Sequence, residues 1–122
     1  MGLSYGVIPL FVYGTLLQPA IMQQVTGRMF PALAASLPGY QCYRLRNRTY
    51  TGIIEQANAR VNGVVYQINQ RALRLIDLYE DGCYQRQMLK VNTAKGPVLA
   101  HTHVIPSTRR HLLDYAKTPL VY

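Results

Sequence analysis

Acidic side chains are scarce in this chain: five among 122 residues, against thirteen lysines and arginines, for a formal net charge of +8. Tryptophan is absent and cysteine occurs only twice. Cys42 and Cys83 fit neither a CxxC site nor a disulfide framework, which leaves two reduced thiols and a cytoplasmic setting as the expectation. The first residues, MGLSYGVIPLFVYG, carry no basic leader and their apolar run is broken by Pro9. Neither a signal peptide nor a membrane span is expected there, and no membrane partner. Also lacking are a G-x-S-x-G turn, a P-loop and any Ser-His-Asp arrangement, so the common nucleophilic and nucleotide-handling chemistries have no foothold.

The excess of positive charge attracts anionic partners in general, small anionic metabolites as well as nucleic acid. The arginines are dispersed, however. Arg44, Arg46 and Arg48 alternate along one stretch, Arg71 and Arg74 share a helix, and Arg109 and Arg110 lie near the end. No RRM, zinc-finger or KH signature accompanies them, and a nucleic-acid partner is not expected. His101 and His103, in AHTHV, would share one face of a strand as a metal pair does. A tetrahedral zinc site needs a third protein ligand and none is obvious nearby, so neither metal nor cofactor is expected.

What the chain does contain suits one domain over residues 1–122, with about half its residues hydrophobic (49%). Val7 to Tyr13 reads as a buried strand closed by Gly14, and Leu16 to Thr26 as a short helix with Pro19 early and Gly27 as its stop. Pro31 to Arg48 gives strand segments broken at Pro38-Gly39. Tyr50 to Ile54 is another strand, followed by a turn at Ala57-Asn58-Ala59 and a core strand over residues 61–68. Gln70 to Glu80 is the clearest helix, with Asn69 as N-cap and Gly82 just past its end. Met88 to Asn92 and Val98 to Ile105 read as strands, and Ser107 to Ala116 as a short closing helix. The predicted class is α+β, a small mixed β-barrel with flanking short helices, since so many short strands would otherwise expose edges.

Three of the five acids, Asp77, Glu80 and Asp81, crowd into DLYEDGCYQR at the end of that helix, where the backbone dipole is negative and carboxylates are misplaced. At about 100° per residue Glu80 falls between Ile76 and Leu73 on the apolar face, while Arg74 marks the solvent side. A carboxylate there is costly to ionise, as suits a general acid or base. The competing reading ends the helix one residue earlier and lets Glu80 swing into water or pair with Arg86. Asp77 and Asp81 could form a carboxylate pair with Glu80, or simply balance nearby arginines. The second candidate is the strand, glycine turn and helix start around Tyr13-Gly14-Thr15, whose backbone N–H groups suit a carboxylate or an oxyanion.

Together, FVYGTLL at 11–17, LPGYQCYRLRNRTYTGII at 37–54, ARVNGVVYQI at 59–68 and LIDLYEDGCYQR at 75–86 resemble the γ-glutamylcyclotransferase family, including the avirulence-induced-gene-like proteins of plants. The resemblance implies a small mixed barrel and a cofactor-independent release of 5-oxoproline and a free amine from a γ-glutamyl amine or peptide. It implies Glu80 as the general acid and base, and Tyr13, Gly14, Thr15 and Leu16 as the loop that holds substrate. Tyr84 and Tyr50 match aromatic positions near the pocket. The chain departs from many members in placing Asp81 between Glu80 and Gly82, and in reading LQPAIM after the loop where a basic residue and a histidine are frequent. The alternative is a non-catalytic module that binds a small carboxylate or a protein in the same pocket; retention of both Glu80 and the loop favours the enzyme. Neither the leaving amine nor the oligomeric state follows from the sequence.

Overall fold

Period-two alternation along β1 (Ile8–Val12) and on into Tyr13 sends Phe11 and Tyr13 to one side and Leu10 and Val12 to the other. Both sides are buried, which is why this stretch reads as an unbroken apolar run. Phe11 and Tyr13 enter a barrel interior with Ala35, Leu37, Val61, Val65, Val91 and Ala100, whereas Leu10 and Val12 lie beneath two helices with Met22, Leu73 and Ile76. The computed structural model describes residues 7–46, 50–80 and 82–115.

After β1 come a 3-10 turn (Thr15–Leu17), α1 (Pro19–Thr26), β2 (Ala32–Arg44), β3 (Thr51–Ile68), α2 (Gln70–Tyr79), β4 (Gln85–Thr93), β5 (Gly96–Val104) and a second 3-10 turn (Ser107–Leu112). The strands close a barrel in the order β1-β3-β2-β4-β5. Four junctions are antiparallel, and the closing one, β1 with β5, is parallel through Leu10↔His101 and Phe11↔Thr102. The α+β class and the mixed barrel with short flanking helices are thus as the sequence indicates.

Three readings of local structure change. The helix foreseen over Leu16 to Thr26 is two pieces, because Gln18 is extended (φ −80°, ψ 117°) and Pro19 opens a new helix; the ring of a proline disfavours helical backbone in the residue before it. The turn at Ala57-Asn58-Ala59 does not end a strand. β3 runs on through Asn58, which takes φ 65°, and the four residues 56–59 are accommodated where the β2 register shifts from Pro38↔Arg60 to Tyr40↔Glu55. The closing helix is the second 3-10 turn, after which Leu113 pairs with Leu45; Ala116 lies outside the described residues. That pairing and a third apolar cluster of Tyr43, Leu45, Ile54, Ile105 and Leu113 cover the far end of the β2–β3 hairpin.

α2 begins as its sequence requires. The Asn69 side chain accepts the Ala72 N–H at 2.8 Å, satisfying a donor that the helix leaves without an internal partner. Asn69→Ala is expected to cost about 1 kcal/mol, read as a lower denaturation midpoint with an unchanged slope.

Candidate active site

α2 ends where the sequence places its acids. Tyr79 is the last helical residue and Glu80 the C-cap, still near helical backbone (φ −75°, ψ −8°), with its N–H donating to the Ile76 carbonyl at 2.9 Å. Ile76 is fully buried, and the half-buried Glu80 follows it around the helix toward the barrel mouth. There it lines a small cavity of about 30 Å³ with Tyr13, Gly14, Thr15, Tyr50, Thr51 and Tyr84. Tyr13, Gly14 and Thr15 of the loop therefore meet Glu80 although they are far away in sequence, and Tyr84, four residues on, joins them. Leu16 does not line the cavity; its side chain is buried under α1 and α2, and its carbonyl accepts the Tyr66 hydroxyl at 3.1 Å. Asp81 lies outside the described residues.

Each wall is fixed by a hydrogen bond. Tyr13 is buried and donates its hydroxyl to the His103 carbonyl at 2.5 Å. Burial first, then the neighbouring Tyr84 and Glu80, hold its phenol well above the usual tyrosine range, so it remains a neutral donor. Thr15 Oγ1 and the Tyr79 hydroxyl are 2.6 Å apart, joining the loop to the helix end beside Glu80. Tyr84 donates to the Thr51 carbonyl at 2.6 Å. Gly14 has φ −117°, so no left-handed backbone calls for glycine here; a Cβ would instead stand 3.1 Å from Thr51 Oγ1 and crowd the cavity wall. In the 3-10 turn, Leu17 N–H bonds Gly14 O and Gln18 N–H bonds Thr15 O, so the N–H groups of Thr15 and Leu16 precede the first bonds of the turn.

The sequence reading let Asp77 balance nearby arginines, as it does with Arg86, but missed its histidine partner. Asp77 Oδ1 accepts Arg86 Nε at 3.0 Å and His103 Nε2 at 2.9 Å, and Arg86 donates NH1 to His101 Nδ1 at 2.8 Å. The signal lay in the strand register, which opposes Arg86 to His103 and Met88 to His101 across β4 and β5. The two histidines do share a strand face, but it is engaged with Asp77 and Arg86. Among the described residues no group of three His, Cys, Asp or Glu side chains is placed to hold a metal.

A larger cavity of about 520 Å³ opens between the β2–β3 hairpin and β4, lined by Tyr40, Glu55, Gln85, Gln87, Ile105 and Arg110 among others. Among the described residues it shares no lining residue with the small cavity; Tyr84, which lines the small one, packs against the apolar cluster that includes Ile54 and Ile105, which line the larger.

The family profile described as gamma-glutamyl cyclotransferase, AIG2-like, matches residues 10–118. AIG2-like protein C of Arabidopsis thaliana is 34% identical over 83 residues, which are 67% of this chain and 48% of that protein. Protein AIG2 C of the same plant is 32% identical over 82 residues, 66% of this chain and 50% of its own length. The chain thus spans about half the length of the curated relatives it matches. A solution structure of another Arabidopsis thaliana protein superposes with a TM-score of 0.79 at 22% identity, covering 91% of this chain and 77% of that one. A structure described as gamma-glutamyl cyclotransferase superposes with a TM-score of 0.68 at 19% identity, covering 81% and 66% respectively, and shows the shared fold.

Proposed function

Because the chain belongs to the γ-glutamyl cyclotransferase, AIG2-like family, we propose that it converts a γ-glutamyl amine or peptide to 5-oxoproline and a free amine, with Glu80 as general acid and base. The observation that carries this reading is the meeting of Glu80 with Tyr13, Gly14, Thr15 and Tyr84 around one cavity.

The nucleophile belongs to the substrate. Its α-amine attacks its own γ-carbonyl carbon, forming the ring C–N bond, and the original γ-C–N bond breaks as the leaving amine departs. Glu80 removes a proton from the α-ammonium and returns it to the leaving nitrogen; the ring nitrogen gives up its second proton as the lactam forms and the amine departs as an ammonium, so no water is consumed and no charge accumulates on the protein. Holding amine and carbonyl together within one molecule supplies much of the acceleration, and the N–H groups of the Gly14 to Leu16 turn are suited to a carboxylate or to the tetrahedral oxyanion.

The test is 5-oxoproline release, followed by mass spectrometry, from a panel of γ-glutamyl peptides and γ-glutamyl amines. Release from at least one class supports the reading and identifies the leaving amine. No release from any member of the panel would sink it.

A further inference from the structure

Glu80 stands after the last helical residue of α2, where helices fray. A general acid and base must be held to a fraction of an ångström. The end of α2 is tied down on both sides of Glu80. Tyr79 is bonded to Thr15, and the Gly82 carbonyl accepts Arg109 NH1. The third tie, Asp77, comes one helical turn before Glu80 and reaches three strands. One carboxylate oxygen receives Arg86 of β4 and His103 of β5, and the His103 carbonyl receives the Tyr13 hydroxyl at the end of β1.

This arrangement overcomes an electrostatic misplacement. A carboxylate in the last turn of a helix faces the negative end of the backbone dipole. His103, 7% exposed, also requires a partner for its ring N–H. One oxygen satisfies both needs, and the shared wall of Tyr13 and Glu80 is the result.

We propose that Asp77 is a positioning residue: by accepting Arg86 and His103 at one oxygen it locks the last turn of α2 to β4 and β5 and sets the place of Glu80 relative to Tyr13. The proposal rests on the role given to Glu80 above. The groups facing His103 are Asp77 from α2, Arg86 from β4, His101 on its own strand, and the Tyr84 ring, edge-on at 6.5 Å. Burial lowers the His103 pKa most, Arg86 and His101 lower it further, and Asp77 opposes them through its hydrogen bond and its charge. Removing that charge therefore moves the His103 titration to lower pH.

The experiment compares wild type with Asp77→Asn, which keeps an acceptor oxygen but loses the charge, and Asp77→Leu, which loses both. Arg74→Ala, on the exposed side of α2, is the control. Three quantities are read: the steady-state constants kcat and KM for the cyclisation, the NMR titration of His103, and the amide resonances of Glu80 and Tyr13 to Leu16 well below Tm. The proposal expects a lower His103 titration in Asp77→Asn and displaced Glu80 and Tyr13 amides. It also expects kcat to fall about 10- to 100-fold with KM changed far less, more severely in Asp77→Leu, and no change in Arg74→Ala. Wild-type kcat and undisturbed amides in both Asp77 variants would overturn it, even with His103 shifted. So would loss of activity accompanied by general loss of helix signal. If wild type itself releases no 5-oxoproline, the proposed function fails separately, and the amide resonances alone decide whether Asp77 places Glu80.

Discussion

Replacing Glu80 by glutamine is expected to lower 5-oxoproline release by about 10²- to 10⁴-fold, the range that general acid and base catalysis contributes. Glutamine preserves the length and planar end of the side chain but carries no exchangeable carboxyl proton and cannot take one up near neutral pH. Both proton transfers of the proposed reaction lose their agent at once. The backbone around residue 80 depends on the amide bond to Ile76 and on its neighbours, the Tyr79–Thr15 and Gly82–Arg109 contacts, none of which uses the Glu80 carboxylate. The Glu80 side chain has interactions of its own, which the oxygen of the glutamine amide can keep in part, so the fold is expected to persist. The checks are 5-oxoproline by mass spectrometry beside Tm and far-UV circular dichroism. A folded variant that keeps a substantial share of wild-type turnover would remove Glu80 from the mechanism.

The largest expected effect on stability lies away from the site. Gly63 of β3 pairs with Ala35 of β2 just where β3 also meets the end of β1. A Cβ at this position would stand 2.1 Å from the Val12 carbonyl oxygen and 3.0 Å from the Phe11 ring. The first contact is with backbone, so no rotamer change relieves it; β1 or β3 would have to move, and both carry the barrel core. Gly63→Ala should cost at least about 3 kcal/mol, the upper part of the overpacking range, and lower Tm by roughly 10 °C or more. Gly52→Ala differs in kind, because its Cβ would meet the Ile105 side chain at 2.4 Å rather than backbone; that β-branched side chain is itself buried, so the shift required of it is also costly. A Gly63→Ala protein that melts with wild type would show that the β1–β3 junction is looser than its register implies.

Much of this was legible in the residues because several signals coincided. For α2, the apolar spacing of Ala72, Leu73 and Ile76, the cap at Asn69 and the glycine at 82 all specified the same helix, and its wheel placed Glu80 toward the core side. β1 was equally plain from composition. The long β3 was not, since residues 55–58 are exposed and three of the four are polar, an Asn takes left-handed backbone, and nothing local distinguishes a bulge from a turn. The meeting of the loop with Glu80 came from family resemblance; periodicity alone could not bring Thr15 to Tyr79. The Asp77 network was hidden for a related reason. Arg86 and His103 become neighbours only through the β4–β5 register, and the pattern AHTHV carries no mark of which residue across the sheet it will face.

The parallel seam between β1 and β5 also has a consequence for synthesis. Strands β2 and β3 can pair with each other, and β1 with β3, as soon as residue 68 is available, but one edge of β1 has no barrel partner until residues 96–104 have been made. Until then the Leu10 to Val12 edge is open to pairing with another chain, a hazard that grows with the time a nascent polypeptide spends incomplete. The Tyr13 hydroxyl bonds to the His103 carbonyl, beside the same seam. The event that removes this hazard during translation is thus also the one that finishes the wall of the cavity.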